Sequence, residues 1–475
     1  MSPNNSFLCW LGVVPALLLG GCAVGPHYER SGPVLGETFR FGSRAAGPSL
    51  GELDWRSVFQ DPVLQGLIGE ALANNPDRQI AASRVLQAQA SLEVVRSQLF
   101  PNLGASLNSA RRGVSASEAG GPAATSESTS AGLNLLTYEF DFWGKFRRAS
   151  EAARARLLAT AEGQRLVESG LVCSTAIAYL TLLEEDQELA ISQRTLASRR
   201  QSLELISIRQ QGGQSALTDV RQAEVLVAEA DAAMSLIRRQ VGQLENLLST
   251  LAGRAPGPIR RGQSFASAKI LSPAPMGLPS ELLNRRPDLR AAEQELIAAT
   301  AEIGVAEAKL LPSFSLTAGA GLRSAAFADL FKDPARFWQL GPSVEVPVFA
   351  GGRLRAGLRG SQAARDEAEA KYRKAVLEAL REVSDALIAR QQSADFSAAQ
   401  ARVVAARSGA LVLIREQYDN GVTSYLEVLY NDQQLFLAEI SQARAQLDAL
   451  TATVQLYRAL GGGWDKSSIP VGRKP

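Results

Sequence analysis

The chain has 475 residues, and its 50 Lys and Arg against 48 Asp and Glu give a formal net charge of +2. That mixed balance implies no long-range pull toward nucleic acid. One His, three Met and three Cys leave soft-metal transport by the chain's own ligands little to work with. Length alone allows two or three domains.

The first element is an apolar run from about Phe7 to Gly21. It is too short to cross a bilayer as a helix, which takes about 20 apolar residues. It has the length of the core of a secretory signal, with small residues before a cut. Leu19-Gly20-Gly21-Cys22 resembles a bacterial lipobox, in which the signal, residues 1–21, is removed and the cysteine sulfur takes a diacylglycerol. Residues 1–6 carry no Lys or Arg, a departure from the usual positively charged start. The alternative, a buried core cysteine, fits badly with two preceding glycines and the following Gly25-Pro26. Ala23 in place of Asp is similar to lipoproteins sorted to the outer membrane. With Cys9 lost in the signal, Cys173 stands alone and no internal disulfide forms. His27, in a Pro- and Gly-rich stretch, reads as a loop residue.

The body is a direct repeat. "NNPDRQIAAS" near Asn74 resembles "NRRPDLRAAE" near Asn284, and each leads with the same spacing to a second proline, Pro76 to Pro101 and Pro287 to Pro312. "FWGKFRR" at Gly144 echoes "FAGGRLRA" at Gly352, and "RQQGGQSALTDV" at Gly213 echoes "YDNGVTSYLEV" at Gly421. The expected organisation is a 22–60 lipid-anchored collar segment, repeat 1 over 61–260, a 261–280 linker, repeat 2 over 281–464 and a 465–475 tail. Each repeat reads helix, strand, strand, very long helix, turn, helix.

The leading helices are expected over about 61–98 and 281–310. Four strands of about 10 residues follow in pairs. Leu103, Ala105 and Leu107 share a face in the first. In the second, Ala131, Leu133 and Leu135 switch parity to Leu136, Tyr138, Phe140 and Phe142, which marks a bulge or a change of environment. Phe314 to Leu322 alternate with Ser315, Thr317, Gly319 and Gly321, and Trp338, Leu340, Val344, Val346 and Val348 share a face in the fourth. The polar faces suit a wetted lumen. Arg111 to Thr129 reads as a flexible external loop; the apolar Phe327, Leu330 and Phe331 fit that role less well in the loop from Arg323 to Arg336. Phe100, Tyr138, Phe142, Trp143, Phe314, Phe337 and Trp338 lie near strand ends, where either aromatic girdles or core packing would use them. Four strands cannot close a membrane barrel, so the chain must oligomerise if they lie in lipid.

Residues 143–210 and 353–418 lack Pro and read as helices of about 100 Å. After Gly turns, 215–252 and 423–460 give helices of about 57 Å. Val220 through Leu251 step 3, 4, 3, 4, and so does Leu426 through Tyr457 with one polar position, Gln433. Val428, Leu435, Ala438 and Ala445 form a second stripe, so this helix can touch neighbours on both sides, as in a ring.

In "CAVGPHYER", "RRPDLRAAEQEL", "LLPSFSLTAG", "VPVFAGGRLRA" and "YDNGVTSYLEVL", from Cys22 to Trp464, the chain resembles the TolC-like outer membrane efflux factor family, lipoprotein branch. The resemblance implies an α+β membrane protein: a coiled-coil α-helical barrel plus a 12-stranded antiparallel β-barrel shared by a homotrimer, four strands per chain. It implies an outer membrane location, a periplasmic adaptor protein and an inner-membrane pump, usually of the resistance-nodulation-division type. At the hairpin tips it points to Gly213, Ser215, Ala216, Gly421, Val422, Thr423 and Ser424 as adaptor contacts, although Gly also suits a tight turn sterically. For the periplasmic gate it points to Tyr418, Glu427 and Asp219, the acids being either a constricting ring or solvated helix ends. Many relatives carry Asp where this chain has Tyr430, with Asp432 two residues on, so the ring is expected to be smaller, shifted or aromatic.

The leading reading is a passive exit duct of a tripartite efflux pump for drugs or other small molecules, anchored in outer membrane lipid. The alternative from a close class is the exit duct of a type I protein secretion system. A poreless tether disagrees with the amphipathic strands. No P-loop, metal-spaced Cys/His cluster or G-x-S-x-G occurs, so no enzyme activity, cofactor or metal is assigned.

Overall fold

The computed structural model describes residues 23–30, 39, 49–120, 122–268, 270, 279–332 and 334–464. Cys22 lies outside them. The elements are α1 (Pro62–Asn74), α2 (Pro76–Ser97), β1 (Leu103–Val114), β2 (Ala124–Phe140), α3 (Lys145–Gln211), α4 (Leu217–Leu251), α5 (Pro279–Arg285), α6 (Pro287–Ala308), β3 (Ser313–Ser324), β4 (Arg336–Glu345), α7 (Arg353–Asp419) and α8 (Tyr425–Ala459). α3 and α7 each have 67 residues, about 100 Å of helix, and α4 and α8 each have 35. One apolar stretch of α3 is long enough to cross a membrane, but 67% of it is buried, which marks a core helix.

Each leading helix is broken where a single run was expected, α1 from α2 and α5 from α6. Pro76 and Pro287 stand at the first helical position, where a missing N–H costs nothing. Each proline also forces the residue before it out of the helical region. Asn75 is extended, its Oδ1 accepts from the Asp77 N–H at 2.8 Å, and its Nδ2 donates to Leu251 O at 2.9 Å, the last residue of α4. In the second repeat Arg286 Nη1 donates to Ala459 O at 3.0 Å, the last residue of α8. The two repeats thus tie the break in the leading helix to the end of the closing helix in the same way.

The chain divides into two compact units. The first combines 1–31, 85–159 and 292–372. It holds a four-stranded antiparallel sheet in the order β1-β2-β3-β4. Ala152 and Ala155 of α3 pack against Ala298 and Ala301 of α6, small side chains that let two helices approach closely. The segment after Cys22 is strapped down here. Val24 N–H donates to Trp143 O, and the buried Arg148 donates to Val24 O at 3.1 Å and Gly25 O at 3.0 Å. Gly25 has φ of 95°, and a Cβ there would sit 2.4 Å from Gly304 Cα. Tyr28 and Arg30 both bind the Glu293 carboxylate.

The segment read as an external loop, Arg111 to Thr129, is mostly strand. β1 continues to Val114 and β2 starts at Ala124, pairing Val114 with Ala124 and Arg111 with Glu127. Arg111 and Glu127 form a cross-strand ion pair at 3.2 Å in this extension of the ladder. β2 therefore has 17 residues, not about 10. β4 stops at Glu345, so Val346 and Val348 follow the strand and do not belong to it.

The second unit combines 32–84, 160–291 and 373–475. Its core includes Tyr179, Phe59 and Tyr457, all almost wholly buried. Tyr179 Oη donates to Asp61 Oδ2 at 3.0 Å and accepts from Gly262 N–H at 2.9 Å. Phe59 and Tyr457 meet edge to face at 6.0 Å between centroids. Val428, Ala438 and Ala445 of the second stripe on α8 are buried, while Leu426 is exposed.

Candidate functional site: a two-faced sheet and two hairpin turns

The register puts Leu103, Leu135, Ala318 and Leu340 in one row across the sheet, and Ala105, Leu133, Ala320 and Trp338 in the next on the same face. These large apolar side chains point outward: Trp338 is 80% exposed, Leu103 71% and Leu133 65%. Intervening rows are mainly polar or small, such as Gly104, Asn134, Gly319 and Gln339, with Phe337 a large apolar residue on that face. On that face Asn134 Nδ2 donates to Ser106 Oγ at 2.8 Å, and Gly319 leaves room that a Cβ would take from Asn134 and Gln339. An apolar face exposed over the width of the sheet, backed by a polar face, is the pattern of a strand wall between lipid and water.

A bulge in β2 preserves this division. Leu135 pairs with Ala318 and Tyr138 with Leu316, so three steps along β2 match two along β3. The extra residue returns Tyr138 and Phe140 to the apolar face, opposite Leu316 and Phe314. There Tyr138, Phe140, Phe142 and Phe314 form a chain of rings at 5.1, 6.1 and 4.9 Å. Trp143 Nε1 donates to Pro312 O at 2.7 Å. Tyr138, Phe142, Trp143 and Phe314 are half-buried, whereas Phe100 and Trp338 are exposed and Phe337 lies under the Arg323 guanidinium at 4.4 Å.

The sheet's outer strands, β1 and β4, each have a neighbour on one side only. Pro342 in β4 removes one backbone donor, which an edge strand tolerates.

In the second unit the two hairpin turns have one geometry. Gly213 and Gly421 have φ of 74° and 73°. At the first, Gly213 N–H donates to Gln210 O and Gln214 N–H to Arg209 O; at the second, Gly421 N–H donates to Tyr418 O and Val422 N–H to Gln417 O. This pairing closes a helix end around a left-handed residue. A Cβ at either glycine would meet nothing within 4 Å, so the backbone there is open to the outside. Gly213, Ala216, Gly421, Val422 and Ser424 are exposed, and Ser215 and Thr423 half-buried.

The gate candidates fall into separate environments. Asp219 is half-buried and caps α4, accepting from Ala216 N–H at 3.2 Å and Ser215 Oγ at 3.4 Å. Ala216 has no side-chain acceptor, so only this half of a capping box exists. Tyr418 packs its ring 5.3 Å from that of Tyr425, with the Arg209 guanidinium 5.1 Å above it. Ile206, Val220, Ala223, Leu411, Val428 and Leu429 complete the apolar cluster. Burial pushes the Tyr425 phenol up to about 12. Glu427 and Tyr430 are exposed side chains on the first turns of α8.

Asp432 is the centre of an ion network. Its carboxylate accepts from Arg199 Nε at 2.9 Å and pairs with Arg415 Nη2 at 3.3 Å. Arg199 also donates to Gln433 Oε1 at 2.7 Å and Leu226 O at 3.0 Å, and its guanidinium lies 5.2 Å from the Phe436 ring. One side chain of α3 thereby binds both α4 and α8. The sequence reading missed Arg199, Arg415 and Arg209. The polar interruption of the α8 heptad at Gln433 was the one signal for a buried polar partner.

A sheet with one lipid-type face and open edges, together with duplicated long helical hairpins, defines a membrane β-barrel channel subunit that also has a long helical part. The chain belongs to the outer membrane efflux protein family, whose model matches residues 67–254 and 278–462, one match in each repeat. It is similar to the solvent efflux pump outer membrane protein SrpC of Pseudomonas putida, at 36% identity over 95% of this chain and 97% of that one. It is 34% identical to the outer membrane protein OprJ of Pseudomonas aeruginosa, over 95% of each chain. Its fold matches the open state of the Neisseria gonorrhoeae MtrE outer membrane channel with a TM-score of 0.86, at 31% identity, over 93% of this chain and 98% of that one. The fold is that of the TolC-family trimeric channels, and the function is that of an outer membrane efflux channel component.

Proposed function

We propose that this chain is the passive exit duct of a tripartite efflux pump for small molecules, working as a homotrimer. The observation that carries the reading is the pair of open edges on a two-faced sheet. An open edge in lipid leaves backbone donors and acceptors unpaired, each at a cost of several kcal/mol. Joining β1 of one copy to β4 of the next removes every edge, and three copies of four strands give a 12-stranded barrel. Two copies would give eight strands, a barrel filled by its own side chains. The small and polar residues opposite the apolar face suit a wet lumen.

The remaining parts follow from the same reading. Transport energy comes from an inner-membrane pump, of the resistance-nodulation-division type, and this chain performs no chemical step. The exposed turns at Gly213 and Gly421, with Ser215, Ala216, Val422, Thr423 and Ser424, meet a periplasmic adaptor. Glu427 and Tyr430 line the periplasmic aperture. Asp219, Tyr418 and Asp432 hold the hairpins that shape it. Cys22 carries lipid, and the Ala23–Arg30 strap fixes the chain next to it. Organic solvents and drugs are the expected cargo class, in keeping with the named roles of SrpC and its relatives.

Removing the protein from its own cell tests this. The expected result is higher accumulation of small apolar solutes with the set of secreted polypeptides unchanged. Unchanged solute accumulation with loss of one exported polypeptide would replace the efflux reading with type I secretion. For the anchor, Cys22→Ser is expected to assemble but to lose incorporated fatty acid and some membrane yield. A wild-type mature chain whose mass shows no lipid would refute the anchor.

A further inference from the structure

Midway along α3, three carboxyl groups share one side of the helix. Glu184 and Glu188 are one turn apart and Glu185 lies beside them. Their residues are only 3%, 3% and 8% exposed. Among the described residues the cation bound to them is Arg444 of α8, whose Nε and Nη2 bind the two Glu188 oxygens at 2.7 and 3.2 Å. Arg261 pairs instead with Asp186 at 2.7 Å and with Glu245. One guanidinium for three carboxyls leaves two of them without a counter-charge of their own among the described residues. Glu184 Oε1 and Glu185 Oε2 are fully withdrawn from solvent and, among the described residues, these two oxygens have no hydrogen-bond partner. One turn beyond Glu188, the fully buried Ser192 Oγ also has no partner.

A buried ionised carboxylate without a partner is costly enough that the group takes up a proton instead. We propose that Glu184, Glu185 and Glu188 form a proton-binding site that couples the packing of α8 on α3 to the pH outside the inner membrane.

Burial first, then the hydrogen bond to Glu188 and the negative charges of Glu188 and Glu185, raise the Glu184 carboxyl to about 9, with Arg444 opposing. Burial first, then the charge of Glu188, raise Glu185 to about 7, with Asp186 adding and Arg444 opposing. Both groups start from 4.5. Between 4.5 and about 9 the folded chain therefore keeps protons that an unfolded chain has released. Stability is fully present at the acid end of that window and is lost as pH rises through the two raised values. The same side of α3 continues toward the hairpin turns with Arg194–Glu439 at 2.7 Å and Arg199–Asp432 at 2.9 Å, both to α8. Charging the site loosens the seam at the Arg444 end of this series.

The site lies within one chain, so its test does not depend on what is transported. The thermal midpoint of the full-length protein in detergent is measured at pH 6 and pH 9, for the wild type and for Glu184→Gln/Glu185→Gln. The wild type is expected to lose several degrees on going to pH 9, with faster amide exchange over 438–445 than the intrinsic pH dependence of exchange gives. The double variant, neutral at every pH, is expected to lose most of that slope. If it does not fold, Glu185→Gln alone should remove part of the slope near neutrality. A wild type with the same midpoint at both pH values, or a variant with the full wild-type slope, would overturn the proposal.

Discussion

Arg199 of α3 and Asp432 of α8 meet at 2.9 Å with side-chain exposures of 4% and 14%. The pair joins the first repeat to the second, close to the cluster that holds Tyr418 and Tyr425. A buried pair of this kind is worth little against an apolar replacement, but breaking it by removing one partner is expensive. Asp432→Ala should therefore destabilise the second unit by about 3 kcal/mol, because Arg199 is left charged and buried. The double replacement Arg199→Met/Asp432→Leu should recover most of that loss. Urea unfolding of the wild type, Arg199→Met, Asp432→Leu and the double variant closes the cycle; additive single effects would show that the pair is uncoupled.

The two faces of β4 should respond in opposite ways to the same charge. Trp338→Arg places a guanidinium among apolar side chains on the exposed face and should cost about 2–4 kcal/mol if it lies near the bilayer midplane. Gln339→Arg, one residue on and on the polar face, should fold normally and change ion selectivity in a planar bilayer. The yield of folded, protease-resistant oligomer in the outer membrane separates them. Equal losses would contradict the assignment of faces.

The bulge in β2 carries a sharper consequence. Deleting Leu136 leaves two steps from Leu135 to Tyr138, matching the two from Ala318 to Leu316, so Tyr138 and Phe140 stay on the apolar face in the same register and the variant should assemble. Deleting Leu136 and Thr137 together leaves a single step, which sends Tyr138 and Phe140 to the polar face or slips the β2–β3 register by one, and that variant should assemble poorly. Retention of heat-resistant oligomer on denaturing gels reads the difference.

At the hairpin turns, strain and partner contact can be told apart. Gly421→Ala should cost about 1–2 kcal/mol, from the left-handed backbone alone, since no neighbour blocks the methyl. Gly421→Asn should cost less, because Asn tolerates that conformation. If the bare backbone is an adaptor contact, Gly421→Asn should still lose efflux despite near-normal stability. Normal efflux in Gly421→Asn would reduce Gly421 to a turn residue.

The repeat, the long helices and the two-faced strands were legible because each is written as a period. The parity switch at Leu135 and Leu136 was legible for the same reason, and the structure resolves it as a bulge. The helix breaks at Pro76 and Pro287 were in plain view, but a proline reads equally as a kink or a first-turn residue until the capping partner is known. That partner, Leu251 O for Asn75, lies 176 residues away. Extension of β1 and β2 to Val114 and Ala124 was hidden because Ser, Thr and Gly are as common in loops as on a lumen face. The Arg199 network was not legible, since an Arg on a long helix is ordinarily solvated and only folding brings Asp432, Gln433 and Leu226 O to it.

Native mass spectrometry of the protein extracted from the outer membrane in mild detergent decides whether copies of the same chain close the sheet. A complex of three chains is expected, with each β1 edge joined to a neighbouring β4. A chain that remains a folded monomer under conditions that keep the sheet intact would contradict it, because the edges at β1 and β4 would then be stable unpaired.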